Sequence, residues 1–490
     1  MPPTHPAPTT NLQCPPPPPL PPEGSNIWMV GVGGCGMCGL ARMLAGRGLR
    51  VSGSDCTPSA TTQSLSEQGI EVATGEGVLP PNIDLVIASA AVPQDHPEVQ
   101  QARNRGTPVS TYAQALGMVQ SDRLGVSIAG THGKSTTAAM LAWILLDAGM
   151  DPGYIIGAHC EQIGGGSRTG AATVPRGPHA GESGILITEA CEFNRSFHHH
   201  RPNIGLINNL EEDHLDIYGS LDAIIDAFGE FAKLLPPAED GGSLLIAHDG
   251  ARRQGITPPL NCRVSTFGFH PEADYQVVWD AAVRRAGILR DGMWVTQWTN
   301  AMPGAHNALN SAAGVILSHQ LGVEWKEAAD AASRFRGLDR RMERLGTLAA
   351  GEGMVTVYSD YGHHPTEIEK TLHALRAAED PERLVCVFQP HQHSRTRFLL
   401  DQFAESFSAA DKVIVPEIYF VRDSEAEKKK VNATDLVDRL QMRGVSACHM
   451  ADFSDIVATL RADLRAGDLL VVMGAGPVWR IGRDFMSTSV

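Results

Sequence analysis

The chain has little that would suit it to a membrane, an oxidising compartment or a polyanion. No apolar run approaches the roughly 20 residues that a membrane helix needs. Basic residues are in deficit, 40 Lys and Arg against 55 Asp and Glu, for a formal net charge of -15. A surface field of that sign repels nucleic acid and leaves room only for a local basic pocket around a small phosphate ligand. The nine cysteines are scattered and odd in number. The opening MPPTHPAPTTNLQCPPPPPLPPEGS lacks the cationic and apolar regions of a secretory signal. A reducing cytoplasm without a disulfide framework is the expectation. Prolines in that opening favour extended chain, so residues 1–25 are expected to be a disordered tail.

What is present is the alternation of an α/β protein. At 490 residues the length suggests about three domains. Strand-like NIWMV runs into helix-like GMCGLARMLAGRG, and RVSGSD and DLVIASAAV follow as strands. RLGVSIAG leads into the helix KSTTAAMLAWILLDAG, with ILITEA and IGLINNL as further buried strands. GMVTVYSD, RLVCVFQP, DKVIVPEIYF and DLLVVMGAGP form a third set. Such alternation implies parallel sheets with crossover helices. Boundaries near 120 and 336 divide the chain into a Rossmann-like unit at 26–120, a P-loop-type central unit at 121–335 and a Rossmann-like unit at 336–490. The Gly-, Ser- and Pro-rich stretch 164–184 reads as a mobile loop.

Two glycine loops carry the chemistry. MVGVGGCGMCGLARML has the form of a dinucleotide fingerprint, in which backbone approaches a diphosphate at a helix N-terminus. Its Cys35 and Cys38 have redox or zinc spacing but no second pair, and read as part of the loop. The second loop, AGTHGKSTT, is a short phosphate loop of the form G-x-x-G-K-[ST], with Ile128 where the longer pattern has Gly. There the backbone N–H groups would hold phosphate oxygens, Lys134 would reach the terminal phosphates and Ser135 would offer its hydroxyl to magnesium. Carboxylates suited to that ion follow two strands: Glu189 and Glu192, then Glu211, Asp213 and Asp216 beside His214. On composition alone His214 reads as structural or substrate-binding, and His198–His200 as a surface turn.

GVGGCGMCGLA, VSGSD, AGTHGKSTT, EACE, NNLEEDHLD, GAHNALN, FRGLDRR, YSDYGHHPTE and FQPHQHSRTR occur in this order. Together they resemble the Mur ligases over residues 27–480. The last two motifs point to the branch that joins L-alanine to the lactyl carboxylate of UDP-N-acetylmuramate, with ATP and Mg2+ and through an acyl phosphate. The resemblance implies that the first loop (Gly33, Gly34, Gly36 and Met37, with Ser54 and Asp55) holds the UDP-sugar and no nicotinamide. It implies ATP contacts at Gly130, Thr131, His132, Gly133, Lys134, Ser135 and Thr136, near adenine at Asn307, at the phosphates by Arg340 or Arg341, and at the ribose by Asp360. Magnesium falls to Ser135, Glu189 and His214. Tyr361, His363, His391 and Arg395 surround the amino acid and the reacting carboxylate, with Lys134, His363 and Arg395 the catalytic set.

This chain departs from the family pattern at Cys191, Phe193, Asn194, Gln392 and His393, and Gly229 stands where some sister ligases carry a modified lysine. Three other readings compete, one of them a non-catalytic nucleotide-binding relative, against which the presence of Lys134, Glu189, His214 and Asp360 argues. A nicotinamide dehydrogenase explains Gly31–Gly39 but leaves AGTHGKSTT and PHQHSRT without work. A ligase for a recycled murein peptide keeps the fold, but FQPHQHSRT argues for a single amino acid.

Overall fold

The computed structural model describes residues 17–75, 77–421 and 423–487. The strands form three sheets. In the first, β1 (Asn26–Val30), β2 (Arg50–Asp55), β3 (Glu71–Thr74), β4 (Leu85–Ala88) and β5 (Val109–Thr111) lie in the order β3-β2-β1-β4-β5, all parallel. The order reverses at β1, which places a crevice beyond its carboxyl end, where the first glycine loop begins.

The central sheet has ten strands. Its parallel heart is β6 (Leu124–Ala129), with β7 (Gly153–Ile155), β9 (Ile185–Glu189), β10 (Ile204–Ile207), β11 (Ser243–Ala247) and β12 (Arg263–Gly268), and β8 (Ser167–Arg168) lies antiparallel to β7 at one edge. Then β13 (Tyr275–Asp280), β14 (Arg285–Arg290) and β15 (Met293–Thr299) close one edge as an antiparallel meander. Every residue of β6 is buried, as a strand covered on both faces requires. Against it lies the helix Lys134–Asp147, in which Leu141, Ile144 and Leu145 are fully buried; each contributes about 1.5–3 kcal/mol. The meander went unread in the sequence because its strands are half exposed and carry no continuous apolar run.

The third sheet runs β16 (Glu343–Ala350), β17 (Gly353–Asp360), β21 (Asp468–Met473), β18 (Arg383–Phe388), β19 (Lys412–Val415), β20 (Ser446–His449) in spatial order, parallel except for the β16–β17 hairpin. Among the described residues no helix is long and apolar enough to cross a membrane.

Three expectations change. Of the tail, residues 1–16 lie outside the described residues, but the rest is seated: Leu20 packs on the first core, Gly24 N–H donates to Gly48 O (2.9 Å) and Arg50 N–H to Ser25 O (2.9 Å). The 164–184 stretch is pinned. Ser167 and Arg168 pair with β7, Thr173 bridges Ser183, and Val174 is buried. Its glycines supply turns at positive φ (Gly164, Gly165, Gly170, Gly177) in place of freedom. The histidine run is no surface turn, because His200 is buried with Nδ1 2.9 Å from Ser127 Oγ and 3.3 Å from Thr188 Oγ1. Gln120 joins this cluster from the end of the first unit's last helix, so the seam between two sheets is polar and closed.

Candidate active site

β6 delivers the chain to the phosphate loop. Gly130 (φ 135°) and Gly133 (φ 81°) take backbone conformations that side chains resist, and a Cβ on Gly133 would lie 2.4 Å from Asn310 Oδ1. The helix then starts at Lys134 with no side-chain cap, so its first N–H groups face the loop. Lys134 Nζ donates to both oxygens of Glu192 (2.9 and 3.1 Å) and to the carbonyls of Gly130 (2.6 Å) and Thr131 (3.0 Å). Burial opposes its charge, but Glu192 outweighs burial and raises the pKa. Ser135 and Thr136 are buried at the start of the helix.

Beside the lysine, Glu192, Asp213 and His214 each offer one ligand atom, all within 4.8 Å of one another. Burial works against ionised Asp213, yet Arg395, with Nη2 3.2 Å from Asp213 Oδ1, and the neighbouring histidines hold its pKa well below the usual range. Burial lowers the pKa of His214. Glu189, at the end of β9, instead accepts the Gly157 N–H (2.6 Å) and is not in this trio.

A cavity of about 230 Å³ opens between the central and third sheets, lined by His132, Asn307, Arg341, Asp360 and Lys370 among others. Asn307 is buried, donates to Pro303 O (2.8 Å) and keeps its own Oδ1 toward Asn310 Nδ2 (3.3 Å). Asp360, at the end of β17, accepts the N–H groups of Met342 and Gly362 (both 2.7 Å), and burial pushes its pKa up to about 6. The two arginines divide. Arg340 spends its guanidinium on the carbonyls of Gly474 (2.5 Å) and Gly476 (3.0 Å), whereas Arg341 lines the cavity. Both lie 4.8 Å over the Tyr361 ring. His363 stands 6.1 Å from His391, ring to ring, and burial pushes it down to about 3.

The first loop is built differently. Gly33 N–H donates to Asp55 Oδ2 (2.8 Å), and a Cβ on Gly36 would meet the Tyr112 ring at 2.7 Å. The helix Cys35–Gly46 has Gly34 as N-cap with no side-chain cap, so its leading N–H groups, those of Gly36 and Met37 among them, have no intrahelical partner. The Met37 side chain is in the core, and Ser54 Oγ is buried, donating to Glu98 (2.6 Å). Cys38 is buried too, its thiol donating to Cys35 O (3.1 Å).

Family models match each unit in turn: the Mur ligase family catalytic domain over residues 26–123, the Mur ligase middle domain over 128–318, and the Mur ligase glutamate ligase domain over 340–476. The chain belongs to the Mur ligase family. It is 36% identical over 469 residues to the UDP-N-acetylmuramate–L-alanine ligase of Clostridium novyi (strain NT), covering 95% of this chain and 98% of that one. The ligase of the same description from Kineococcus radiotolerans is 37% identical over 476 residues, covering 94% and 96%. Among solved structures, the UDP-N-acetylmuramate–alanine ligase of Thermotoga maritima superposes with a TM-score of 0.72 at 25% identity, over 94% of this chain and 98% of that one. A murein peptide ligase from Psychrobacter arcticus shares the fold (TM-score 0.70, 24% identity, 94% and 98% covered).

For a Mur ligase of this sequence, residue reading missed two groups packed on the loops, one from another unit (Glu367) and one from the same unit (Tyr112). Glu367 and Tyr112 are ordinary helix residues in the sequence, and only packing brings them to the loops. The E four residues after H in HHPTE was a legible signal for Glu367, at the reach of one helical turn.

Proposed function

We propose that this Mur ligase joins L-alanine to the lactyl carboxylate of UDP-N-acetylmuramate, converting ATP to ADP and phosphate. The carrying observation is that the third sheet docks on the phosphate loop and encloses one cavity with His132 and Gly133 of that loop, Arg341 and Asp360 around it. The names of the relatives at 36% and 37% identity over nearly the whole chain support the choice of substrate.

In this reading residues 26–120 hold the UDP-sugar, 121–335 hold ATP and 336–490 close over both. A carboxylate does not yield to an amine, because oxide is a poor leaving group; phosphoryl transfer makes an acyl phosphate, from which phosphate departs. The protein's part is positioning and charge relief. Lys134 leaves Glu192 for the phosphates, and Arg341 faces them from the other side, which favours it over Arg340. Asn307 sits toward adenine, and Asp360 accepts from the ribose hydroxyls. Tyr361 and His391 border the reacting carboxylate, and Arg395 turns from Asp213 to the carboxylate of alanine. His363 is neutral, hence able to accept the proton of the attacking amine.

The donors around Lys134 fit magnesium: carboxylates with an ionised Asp213 among them, a hydroxyl at Ser135, and His214 shifted toward its neutral form. Ser135, Glu189 or Glu192, and His214 would hold it, and it would offset charge on the phosphoryl oxygens. The test is ADP release with UDP-N-acetylmuramate and alanine. Release that requires both, with an amide product by mass spectrometry, is expected. Release only with a tripeptide in place of alanine would overturn the reading.

A further inference from the structure

Glu367 lies in the first turn of the helix Pro365–Glu379, where an acidic side chain commonly reaches back to cap the helix. One oxygen does so: Oε2 accepts the His363 N–H at 3.0 Å and lies 3.3 Å from His363 Nδ1. A cap needs no more. The other oxygen crosses to the central unit, where Oε1 is 3.1 Å from Nδ1 of His132, inside the phosphate loop, and 3.8 Å from Arg341 Nη1. The side chain is 14% exposed, so this split contact is largely shielded from water. Glu211 meets His132 from the other side (3.5 Å) and itself accepts from Thr366 (2.5 Å) and Lys370 (3.4 Å) of the same helix. His364 Nε2 donates to Glu212 O (3.1 Å), and its ring lies 4.9 Å from that of His132.

We propose that Glu367 is a positioning residue: one carboxylate fixes the phosphate loop through His132 and the His363 segment through its backbone, so that the phosphates and the amine-accepting side of the site close in one geometry. The inference rests on the ligase reading for its kinetics, but not for its geometry. Binding of the UDP-sugar, assigned to the first unit, does not need the bridge. Chemistry does, because reacting groups carried by different units must meet within contact distance, and a misplacement of 1 Å costs on the order of 10²-fold in rate.

A consequence can be read without turnover. The groups facing His132 are Glu367, Glu211 and His364, with His306 at longer range and Lys370 acting on Glu211. Burial disfavours its charge, but the two carboxylates prevail and raise it to about 9.

The experiment uses the full chain labelled at histidine nitrogen, comparing wild type with Glu367→Gln, which keeps the shape and removes the charge. In wild type His132, assigned by His132→Asn, is expected to stay protonated past pH 8; in Glu367→Gln its midpoint should drop by more than one pH unit. In the ligation assay Glu367→Gln should lose roughly 10- to 100-fold in kcat with the UDP-sugar Kd unchanged. The double variant His132→Asn, Glu367→Gln should be no slower than the slower single one. An unchanged His132 titration, a kcat within twofold of wild type, or single effects that multiply in the double variant would each overturn the bridge. Should Glu367→Gln fail to fold, His132→Asn tests the same contact from the other unit, with the same loss of kcat expected. A wild type that makes no ADP from sugar and alanine would sink the ligase reading while leaving the titration result to stand.

Discussion

The two glycine loops share a plan and differ in what surrounds it. Each follows a buried strand and opens an uncapped helix, so each offers backbone N–H groups to an anion. Around the first the fixed charge is acidic: Asp55 holds Gly33, and the nearest packed ring is Tyr112. The second carries its own cation, Lys134, with Glu192, Asp213 and His214 beside it and His132 within the loop. A glycine turn thus supplies a seat for a diphosphate, and the side chains behind it decide whether anything happens to the phosphate.

The sharpest break in the comparison comes from Lys134→Ala. Loss of its charge at the developing phosphoryl oxygens is expected to lower ADP release by roughly 10³-fold or more. UDP-sugar affinity, measured by calorimetric titration, should stay near wild type. Equal loss of both would erase the division between the loops.

The seam between the two units gives a stability effect. His200 is held neutral by burial, down at about 3. A histidine lowered from about 6.5 contributes stability that is present above pH 6.5 and lost as pH falls toward 3. Between pH 6.5 and 5 that loss is about 2 kcal/mol. His200→Asn should therefore flatten the fall in melting temperature over this range, and an equally steep fall would remove His200 from the account.

Amino-acid handling should belong to neither loop. Arg395→Ala is expected to raise the KM for alanine roughly tenfold, the scale of one charge-assisted pair. A KM that does not move would leave Arg395 as a partner of Asp213 alone. The smallest effect is expected at the first loop. Asp55→Ala frees the Gly33 N–H and should raise the KM for the UDP-sugar by several-fold, about 1 kcal/mol for one hydrogen bond. The KM for ATP should not change, and a shift in it would tie the loops more closely than their surroundings suggest.

Much of this was legible from residues. The strands β1, β6, β9, β10, β17, β18, β19 and β21 are dominated by apolar residues because sheets covered on both faces demand them. The loops were legible through Gly, Lys and Ser at fixed spacing. Harder to read were features set by packing: the exposed β13–β15 meander, the pinned 164–184 stretch, and the burial of His200 under a polar seam. Glycine-rich composition reads alike whether it gives freedom or close approach, and only the neighbours tell the two apart. At the site, Glu192 beside His214 and Arg341 in the cavity were both named among alternatives in the sequence, but which member of each pair faces the phosphate loop follows from side-chain direction.

The order of motifs along the chain was enough to establish the family, because the spacing of glycines, lysine and acidic residues fixes local backbone and chemistry without reference to distant parts. Tertiary structure alone decided which charges meet. His132 and Glu367 are 235 residues apart, and no local pattern brings a loop cation of one unit to a helix carboxylate of another. That contact depends on how two independently built sheets dock, which is a matter of shape and burial over whole surfaces.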